Sequence, residues 1–249
     1  MEDKSRYHDQ WYAQHYDRDR FGGSFGRYLE VTEIVALASA IAPYRGSVLD
    51  VGAGTGKLSL PLLEQHREVV SLDASLEMLS VAKNKTLEAG LKLRPVICDV
   101  HKLCFGDNTF ECVVCSRVLM HLLNRDRAID ELCRVAKTAI ILDFPPILSL
   151  AGVDSLFKRV MRAFNASVHP YRAFRIRQIV RRLRKNDFEV VSLRRQFFLP
   201  VVLHRMLDRP KLSEKIERFL DRLGLVRALG APVTIKAVRN RQHAFPISQ

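Results

Sequence analysis

The sequence predicts an α/β fold, in which a mostly parallel β-sheet carries helices on both of its faces. Short apolar stretches rich in β-branched residues alternate with amphipathic helical stretches along residues 45–145, which is the pattern of a buried parallel sheet. A glycine-rich turn follows the first of these stretches. The chain has 249 residues, 47% of them apolar, and no linker-like composition. We therefore expect a single domain over residues 1–249.

The elements of the first part of the chain follow from periodicity and turn residues. Residues 8–42 have helical periodicity with breaks at Gly22, Gly23 and Gly26. Ser75 is the expected N-cap of a helix that Gly90 ends. Helices are predicted at residues 58–66, 76–90 and 125–137, and strands at residues 47–52, 68–73, 94–100, 109–116 and 139–144.

Beyond residue 150 the pattern is more helical and more basic. An arginine-rich amphipathic helix is predicted at residues 174–185, and a second amphipathic helix at 211–223, closed by Gly224. Strands are predicted at residues 188–199 and 232–238. We expect this part to form a basic helical elaboration of the sheet domain.

Positive charge is concentrated in the last hundred residues. The formal net charge is +13; residues 1–149 contain 18 Lys/Arg and 20 Asp/Glu, whereas residues 150–249 contain 22 and 7. Such asymmetry favours an anionic partner, which is RNA, an acidic lipid surface or a charged substrate. A solvated basic face that serves solubility is the alternative.

Composition also argues against several classes of protein. The N-terminal stretch MEDKSRYHDQWY lacks the apolar core of a signal peptide, and apolar runs fall short of the roughly 18–20 residues of a membrane span. The cysteines are odd in number and lie mostly in strand-like stretches, which predicts reduced, buried thiols and a cytoplasmic protein. They are Cys98, Cys104, Cys112, Cys115 and Cys133.

The turn at residues 50–56 reads Asp-Val-Gly-Ala-Gly-Thr-Gly. A strand that runs into such a turn and then a helix binds nucleotide-like cofactors. In a dinucleotide fingerprint the third glycine comes three residues after the second, but Lys57 stands there. Asp50 precedes the first glycine by two residues, where an anion suits a cationic ligand better than a pyrophosphate. Asp73 and Asp99 end the next two predicted strands, where a carboxylate can bind a ribose diol or an adenine amino group.

Together these residues resemble a known family. The Asp-x-Gly-x-Gly-x-Gly turn, the stretch from Asp73 through Met78 to Ala82, Asp99, and the segments DNTFECVVCSRVLMHL and RAIDELCRVAK are similar to class I S-adenosylmethionine-dependent methyltransferases. The closest similarity is to enzymes that methylate small molecules and quinone-like lipids. The resemblance covers about residues 45–145, and more loosely 174–200 and 232–238. It departs from the family at Thr138-Ala139, where Pro-Gly-Gly is usual, and at Asp187-Phe188, where Gly-Phe is usual.

The resemblance implies a Rossmann-like, seven-stranded, mostly parallel sheet. Residues 1–42 would form a helical cover over the cofactor, 45–145 the cofactor-binding core, and 147–249 the lid insert, basic helices and last strands. In the cover, Tyr16 and Arg27 would touch the methionine carboxylate. The cofactor would be S-adenosylmethionine, and its contacts would be Asp50, Gly52, Ala53, Gly54, Asp73, Ala74, Met78, Asp99, Val100 and Ser116. For Met78, a plain core position is the alternative.

No catalytic residue is identified from the sequence, although two histidines are candidates for a general base. His121 follows the fourth strand near Ser116, and His169 lies in the insert before the sixth strand. Each has a plainer interpretation, as a packing residue and as a turn residue before Pro170. Cys112 and Cys115 are interpreted as core residues rather than zinc ligands, because residues three apart in a strand face opposite sides. No metal is expected.

Three functions remain open on the sequence. The first is methyl transfer to an O, N or C nucleophile of a small or amphiphilic acceptor, with the basic helices at 174–185 and 211–223 resting on anionic membrane, so that the protein is cytoplasmic or peripheral on the inner membrane face. The second is an RNA methyltransferase that uses the basic face. The third is a non-catalytic protein that binds a partner through the basic helices.

Overall fold

The computed structural model describes residues 5–65, 67–149 and 174–240, and seven strands of these residues form one sheet. The sheet order is β3-β2-β1-β4-β5-β7-β6. Strands β1 to β5 pair in parallel, whereas β7 is antiparallel to both of its neighbours. The predicted mostly parallel sheet is therefore confirmed. The strands are β1 Val48–Val51, β2 Val69–Asp73, β3 Pro95–Ile97, β4 Phe110–Ser116, β5 Ala136–Phe144, β6 Phe188–Phe197 and β7 Ala231–Arg239.

Nine α-helices are found in the described ranges. Ser75 caps α4 as predicted: its hydroxyl oxygen accepts from the Met78 N–H at 3.0 Å. The helices are α1 Gln10–Phe21, α2 Gly23–Ile41, α3 Ser59–Glu64, α4 Leu76–Glu88, α5 Arg125–Val135, α6 Ile176–Lys185, α7 Val201–Leu207, α8 Pro210–Arg222 and α9 Leu225–Leu229. Among the described helices, none is long and apolar enough to cross a membrane.

Alternating strand residues build a separate core on each face of the sheet. On one face, Leu37 and Ile41 of α2 and Leu62 of α3 pack with β-strand residues such as Val114. On the other face, helices α5 and α6 cover the sheet with a larger apolar cluster. Helices thus cover both faces, as the alternating pattern predicts. This second cluster includes Ile129, Leu132, Ile179, Leu183, Val113 and Leu142.

Two local expectations are wrong, and two short helices were not predicted. Gly26 lies inside α2 instead of interrupting it; a Cβ there would lie 2.3 Å from the Phe21 carbonyl oxygen, so this glycine allows the start of α2 to fold back on the end of α1. Asp99 does not end the third strand: β3 is a short edge strand that stops at Ile97, and Asp99 lies in the turn after it. Helices α7 and α9 were not predicted, since each is too short to show a helical period.

The cysteines agree with the expectation of buried thiols only in part. Cys112, Cys115 and Cys133 are buried, but Cys98 is half-buried and Cys104 is exposed. Cys104 lies in the turn before β4 rather than in a strand, which leaves its side chain in solvent.

Candidate active site

A cavity of about 170 Å³ lies at the carboxyl ends of β1, β2 and β4, where ligands of open α/β sheets bind. Residues of the N-terminal segment, among them Tyr7 and Tyr16, close it from above. The cavity therefore brings together most of the residues that the sequence indicates for cofactor binding. These are Gly52, Asp73, Ala74, Asp99, Val100 and Ser116.

The glycine turn reaches this cavity at Gly52, whereas Gly54 is not among the residues that line it. Gly52 has φ +73°, and a Cβ on it would lie 2.0 Å from Cγ2 of Val118, so only glycine fits. The N–H groups of Gly52 and Ala53 both donate to the Leu72 carbonyl oxygen, at 2.7 and 2.9 Å. Gly54 has φ +55° and open space where a Cβ would be. The turn is thus held against β2, and a ligand can approach its backbone closely.

Asp73 is held in place by the backbone on both of its carboxylate oxygens. The Gly54 N–H donates to Oδ2 at 2.8 Å, and the Ser75 N–H donates to Oδ1 at 3.0 Å. A carboxylate oxygen accepts more than one hydrogen bond. Asp73 can therefore accept two further hydroxyl groups on neighbouring carbons, which is the arrangement of a ribose diol.

The remaining predicted contacts are distributed around the cavity. Asp99 lines it, but its Oδ1 accepts from the His101 N–H at 3.0 Å and lies 2.7 Å from the His101 ring Nδ1. Ala53 lines an adjoining cavity of about 90 Å³. Met78 is only 2% exposed and lines neither cavity, so its position agrees with a core methionine.

Asp50 lies below the glycine turn rather than in the cavity wall. Its side chain is buried, and its Oδ2 accepts from the Ser59 hydroxyl at 2.7 Å. Burial raises the pKa of Asp50 to about 6. The Ser59 hydrogen bond lowers this pKa, whereas the charge of Asp73 raises it. The folded protein thus retains the Asp50 proton to a higher pH than the unfolded chain, whose carboxyl has a pKa near 3.8.

We expect Asp50→Asn to stabilise the protein at neutral pH. Because the folded-state pKa is raised, the wild type loses stability as the pH rises from about 4 to about 6, by an amount on the order of 2–3 kcal/mol. The variant lacks this loss, so it should match the wild type near pH 4 and exceed its stability by about 1–3 kcal/mol at pH 7. Urea unfolding at both pH values measures this difference. Equal stability of the variant and the wild type at pH 7 would contradict a raised pKa of Asp50 in the folded protein.

A second, larger cavity of about 460 Å³ adjoins the first. Its wall is mostly aromatic and apolar, and it also contains the arginines Arg20, Arg117 and Arg205 and the carboxylates Asp19 and Glu33. Tyr7, Tyr16, Arg20, Arg117 and His121 line both cavities, so a ligand in one would lie beside a ligand in the other. The residues that only the larger cavity contains include Tyr12, Leu29, Met120, Pro145, Phe197, Phe198, Pro200, Val201 and Arg205.

A largely buried cluster of charges adjoins both cavities through Arg117. The Arg117 side chain donates through Nε to Asp143 Oδ2 at 2.8 Å and through Nη2 to Glu33. Lys57 Nζ donates to the other Glu33 oxygen at 3.2 Å, and Thr234 donates to Asp143 Oδ1 at 3.1 Å. Burial opposes the charge of Glu33, but Arg117 and Lys57 lower its pKa overall. The cluster holds the Arg117 guanidinium in place beside both cavities.

The sequence reasoning missed this cluster, although two signals point to it. Asp143 stands near the carboxyl end of β5, the position that drew attention to Asp73 at the end of β2. Glu33 is a carboxylate in the otherwise apolar helical stripe TEIVALASAI, and it is 6% exposed. Arg117 follows Ser116 directly and has φ +60°, a left-handed conformation that few residues other than glycine adopt.

The N-terminal cover contributes Tyr16 and Arg20 to both cavities. Arg20 donates to the Tyr16 hydroxyl, and its guanidinium lies over the rings of Tyr16 and Phe21. Burial raises the pKa of Tyr16, although the nearby Arg20 charge lowers it. Arg27 is exposed on α2 and lines neither cavity. The cover therefore presents Arg20 to the site.

Of the two candidate bases, only His121 can be placed. It ends a short 3₁₀ helix after β4, lines both cavities, and makes an edge contact with the Tyr7 ring at 6.0 Å between centroids. His169 lies outside the described residues. Cys112 and Cys115 point to opposite faces of the sheet, each in a different core cluster, and burial raises the pKa of Cys112 to about 12. Among the described residues no cluster could hold a metal ion.

The sequence of this chain is similar to those of known methyltransferases over part of its length. Residues 48–139 match the family described as a methyltransferase domain. Over 108 residues, 41% of this chain, the sequence is 33% identical to the ubiquinone/menaquinone biosynthesis C-methyltransferase UbiE of Burkholderia mallei (strain SAVP1). The same values hold for UbiE of Burkholderia thailandensis. The matched stretch spans 44% of the length of these relatives.

Solved structures show the same fold over most of the chain. Magnesium protoporphyrin IX methyltransferase (ChlM) from Synechocystis PCC 6803, with S-adenosylmethionine bound, has a TM-score of 0.63 at 19% identity, covering 96% of this chain and 98% of that one. The [4+2]-cyclase SpnF has a TM-score of 0.60 at 21% identity, covering 83% of this chain and 79% of that one. Because these two proteins catalyse different reactions, the fold by itself does not specify the chemistry.

Proposed function

We propose that this chain, which carries a class I S-adenosylmethionine-dependent methyltransferase domain, moves a methyl group to a small, largely apolar acceptor. The observation that carries the proposal is the pair of adjoining cavities. One has Gly52 and Asp73 in its wall, the other is lined largely by aromatic and apolar side chains, and the two share Arg117 and His121. Such an arrangement places two ligands side by side, as a group transfer requires.

The residues of the smaller cavity fit S-adenosylmethionine. The open space beside Gly54 and the tight contact at Gly52 leave room for the ligand but none for a side chain on the turn. Asp73 would hold the ribose hydroxyls, while Asp99 and Val100 would lie along the adenine edge. When bound, S-adenosylmethionine supplies a methyl group on a positively charged sulfur, open to attack by a nucleophile. The carboxylate of Asp50, buried beneath the turn, would favour that positive charge at neutral pH.

The protein's further contribution is to orient the acceptor and exclude water. Tyr16 and Arg20 of the N-terminal cover close the junction of the cavities, and the Glu33–Arg117–Asp143 cluster fixes one wall. His121 lies at the same junction. An imidazole nitrogen of His121 would take the proton from an acceptor hydroxyl as the methyl group is transferred.

The lining of the larger cavity suggests the class of acceptor. Tyr12, Phe197 and Phe198 supply flat apolar surfaces, which suit a planar ring. Arg205 and Arg20 supply positive charge for a phenolate or carboxylate on that ring. The UbiE relatives belong by name to quinone biosynthesis, which supports a quinol-like or phenolic acceptor. The RNA-methyltransferase and non-catalytic alternatives are not favoured, because the second cavity is lined for a small apolar molecule.

The test is transfer of isotope-labelled methyl groups to a panel of acceptors. The panel contains quinols with isoprenoid side chains, simple phenols, aromatic carboxylic acids and a structured RNA. We expect label in one of the planar organic acceptors and none in RNA. Label in RNA alone would overturn the assignment of the acceptor, and failure to bind S-adenosylhomocysteine would overturn the assignment of the enzyme.

We expect His121→Gln to lower the rate of methyl transfer to a hydroxyl acceptor by roughly 10²–10³-fold, the contribution typical of a general base. Affinity for S-adenosylhomocysteine should stay within about threefold, since His121 is not proposed to hold the cofactor. The wild-type rate should rise with pH as the imidazole loses its proton, and this rise should disappear in the variant. His15→Gln, which removes a histidine stacked on Trp11 and outside both cavities, is the control. An unchanged rate and pH profile for His121→Gln would exclude the role.

A further inference from the structure

Helices α7 and α8 are joined through buried polar side chains. His204 of α7 is fully buried, and its Nε2 lies 2.8 Å from Oε1 of Glu217 on α8. The Glu217 carboxylate also accepts from the N–H groups of Phe198 and Leu199, at 2.8 and 3.0 Å. Ser213, one turn before Glu217, is buried as well. The faces that these two helices turn toward the protein are therefore unusually polar.

The outward side of each helix carries exposed large apolar side chains, which an ordinary surface helix turns inward. Met206 on α7 is 78% exposed, and Phe219 on α8 and Leu223 directly after α8 are each 60% exposed. Large apolar side chains grouped on one surface mark a contact with an apolar partner. The outward apolar residues of the two helices are Leu203, Met206, Leu207, Leu212, Phe219 and Leu223.

A row of cations runs beside the apolar row on α8. Lys211, Lys215, Arg218 and Arg222 follow one another at intervals of four, three and four residues, which keeps them on one face of a helix. All four are exposed, and Arg218 lies 3.5 Å from Glu214. At 100° per residue this row lies next to the apolar row and away from Glu217. Adjacent apolar and cationic rows are characteristic of helices that lie in the interface of an anionic membrane.

Helix α6 differs from α8, although the sequence suggests the same role for both. Ile179 and Leu183, which form the apolar row of α6, are buried against the sheet. The outward side of α6 presents exposed Arg177, Arg181 and Arg184. Unlike α6, the α7–α8 surface therefore combines positive charge with exposed apolar side chains that can enter a lipid layer.

The α7–α8 surface also adjoins the larger cavity. Pro200, Val201 and Arg205, at the start of and within α7, line that cavity. Glu217 holds the Phe198-Leu199 segment, which lines it too. A partner on this surface would thus lie next to the space where the acceptor is proposed to bind.

We propose that the α7–α8 surface docks on an anionic lipid bilayer, with Met206, Phe219 and Leu223 in the boundary between headgroups and acyl chains. The cationic row of α8, which is Lys211, Lys215, Arg218 and Arg222, binds the lipid phosphates. An amphiphilic acceptor dissolved in the bilayer then enters the larger cavity beside α7; this last step rests on the proposed function, whereas the docking itself does not.

The test is co-sedimentation of the full chain with lipid vesicles, without cofactor or acceptor. We expect binding to vesicles of equal parts phosphatidylglycerol and phosphatidylcholine, and little binding to phosphatidylcholine alone. The double variants Phe219→Ser/Leu223→Ser and Lys215→Glu/Arg218→Glu should each weaken binding at least tenfold. Arg177→Glu/Arg181→Glu on α6 is the matched control, because it changes the net charge equally and leaves α8 intact; it should weaken binding by less than threefold.

Several results would overturn the proposal. They are no vesicle binding by the wild type, equal loss in the α6 control, or binding to a single-stranded RNA but not to vesicles. Each variant is first tested for S-adenosylhomocysteine affinity and for its circular dichroism spectrum, both of which should match the wild type. If vesicles bind but no methyl transfer is found, the docking stands and only the proposed function fails.

Discussion

Replacing Asp73 with alanine is expected to weaken the binding of S-adenosylmethionine and S-adenosylhomocysteine about 100-fold. A hydrogen bond to a charged group contributes about 1.5–3 kcal/mol, and two bonds from a ribose diol to the carboxylate would be lost together. A loss of about 3 kcal/mol corresponds to roughly two orders of magnitude in affinity. The variant also removes the acceptor of the Gly54 N–H, which loosens the glycine turn. Calorimetric titration measures the effect.

Two further variants make the Asp73 experiment specific. Asp107→Ala removes an exposed carboxylate that pairs with Arg134 away from both cavities, and it should leave the affinity unchanged. Asp73→Asn keeps the shape of the side chain and one acceptor oxygen, so an intermediate affinity is expected. Wild-type affinity in Asp73→Ala would show that the ligand does not contact the end of β2.

Glu33→Gln is expected to reduce the free energy of unfolding by about 3–5 kcal/mol, the usual cost of removing one partner from a buried ion pair. Glu33 is 6% exposed and pairs with both Arg117 and Lys57. In the variant, Arg117 and Lys57 remain charged in a buried site, and Asp143 still pairs with Arg117. Urea unfolding at pH 7 measures the change.

The control for Glu33 is Glu88→Gln, at the exposed end of α4, which should change stability by less than about 0.5 kcal/mol. The stabilising effect of Glu33 should decline in acid. Because its folded-state pKa is lowered, its contribution is present above the unfolded pKa near 4.5 and is lost as the pH falls through the lower folded value. If Glu33→Gln were as stable as the wild type at pH 7, the ion pairs of Glu33 would not contribute to holding Arg117 in place.

The sequence was sufficient for the sheet and for the residues at its carboxyl edge. Strands such as β1 are short, apolar and followed at once by glycines, so both their position and their ends can be read locally. Asp73 could be identified because parallel strands bring their carboxyl ends to the same edge. Gly52 was indicated by the glycine turn and Ser116 by the family resemblance, and both line the same cavity as Asp73.

The charge cluster could not be predicted in the same way. Glu33 and Arg117 are 84 residues apart, and they meet only because α2 packs against the sheet while the turn after β4 bends back. Single-sequence patterns describe neighbours along the chain and not such long-range pairs. The lining of the larger cavity could not be predicted for the same reason, since its walls come from α1, α2, β6 and α7.

Helix α8 shows a different limit of sequence patterns. Its apolar period predicts an amphipathic helix, and the helix is present. The period does not say which face turns inward, and a row of leucines is usually part of a core. Here the His204–Glu217 pair occupies the inner side, and Phe219 remains outside. That orientation depends on a buried polar contact between two helices, which the apolar pattern does not record.

The most direct test of the proposed cofactor site is calorimetric titration of S-adenosylhomocysteine and of NAD⁺ into the wild-type protein. We expect S-adenosylhomocysteine to bind with micromolar affinity and one site per chain. We expect no binding of NAD⁺, because Asp50 underlies the turn and Lys57 replaces the third glycine of a dinucleotide site. Absence of S-adenosylhomocysteine binding by the folded protein, or preference for NAD⁺, would contradict the assignment of this site.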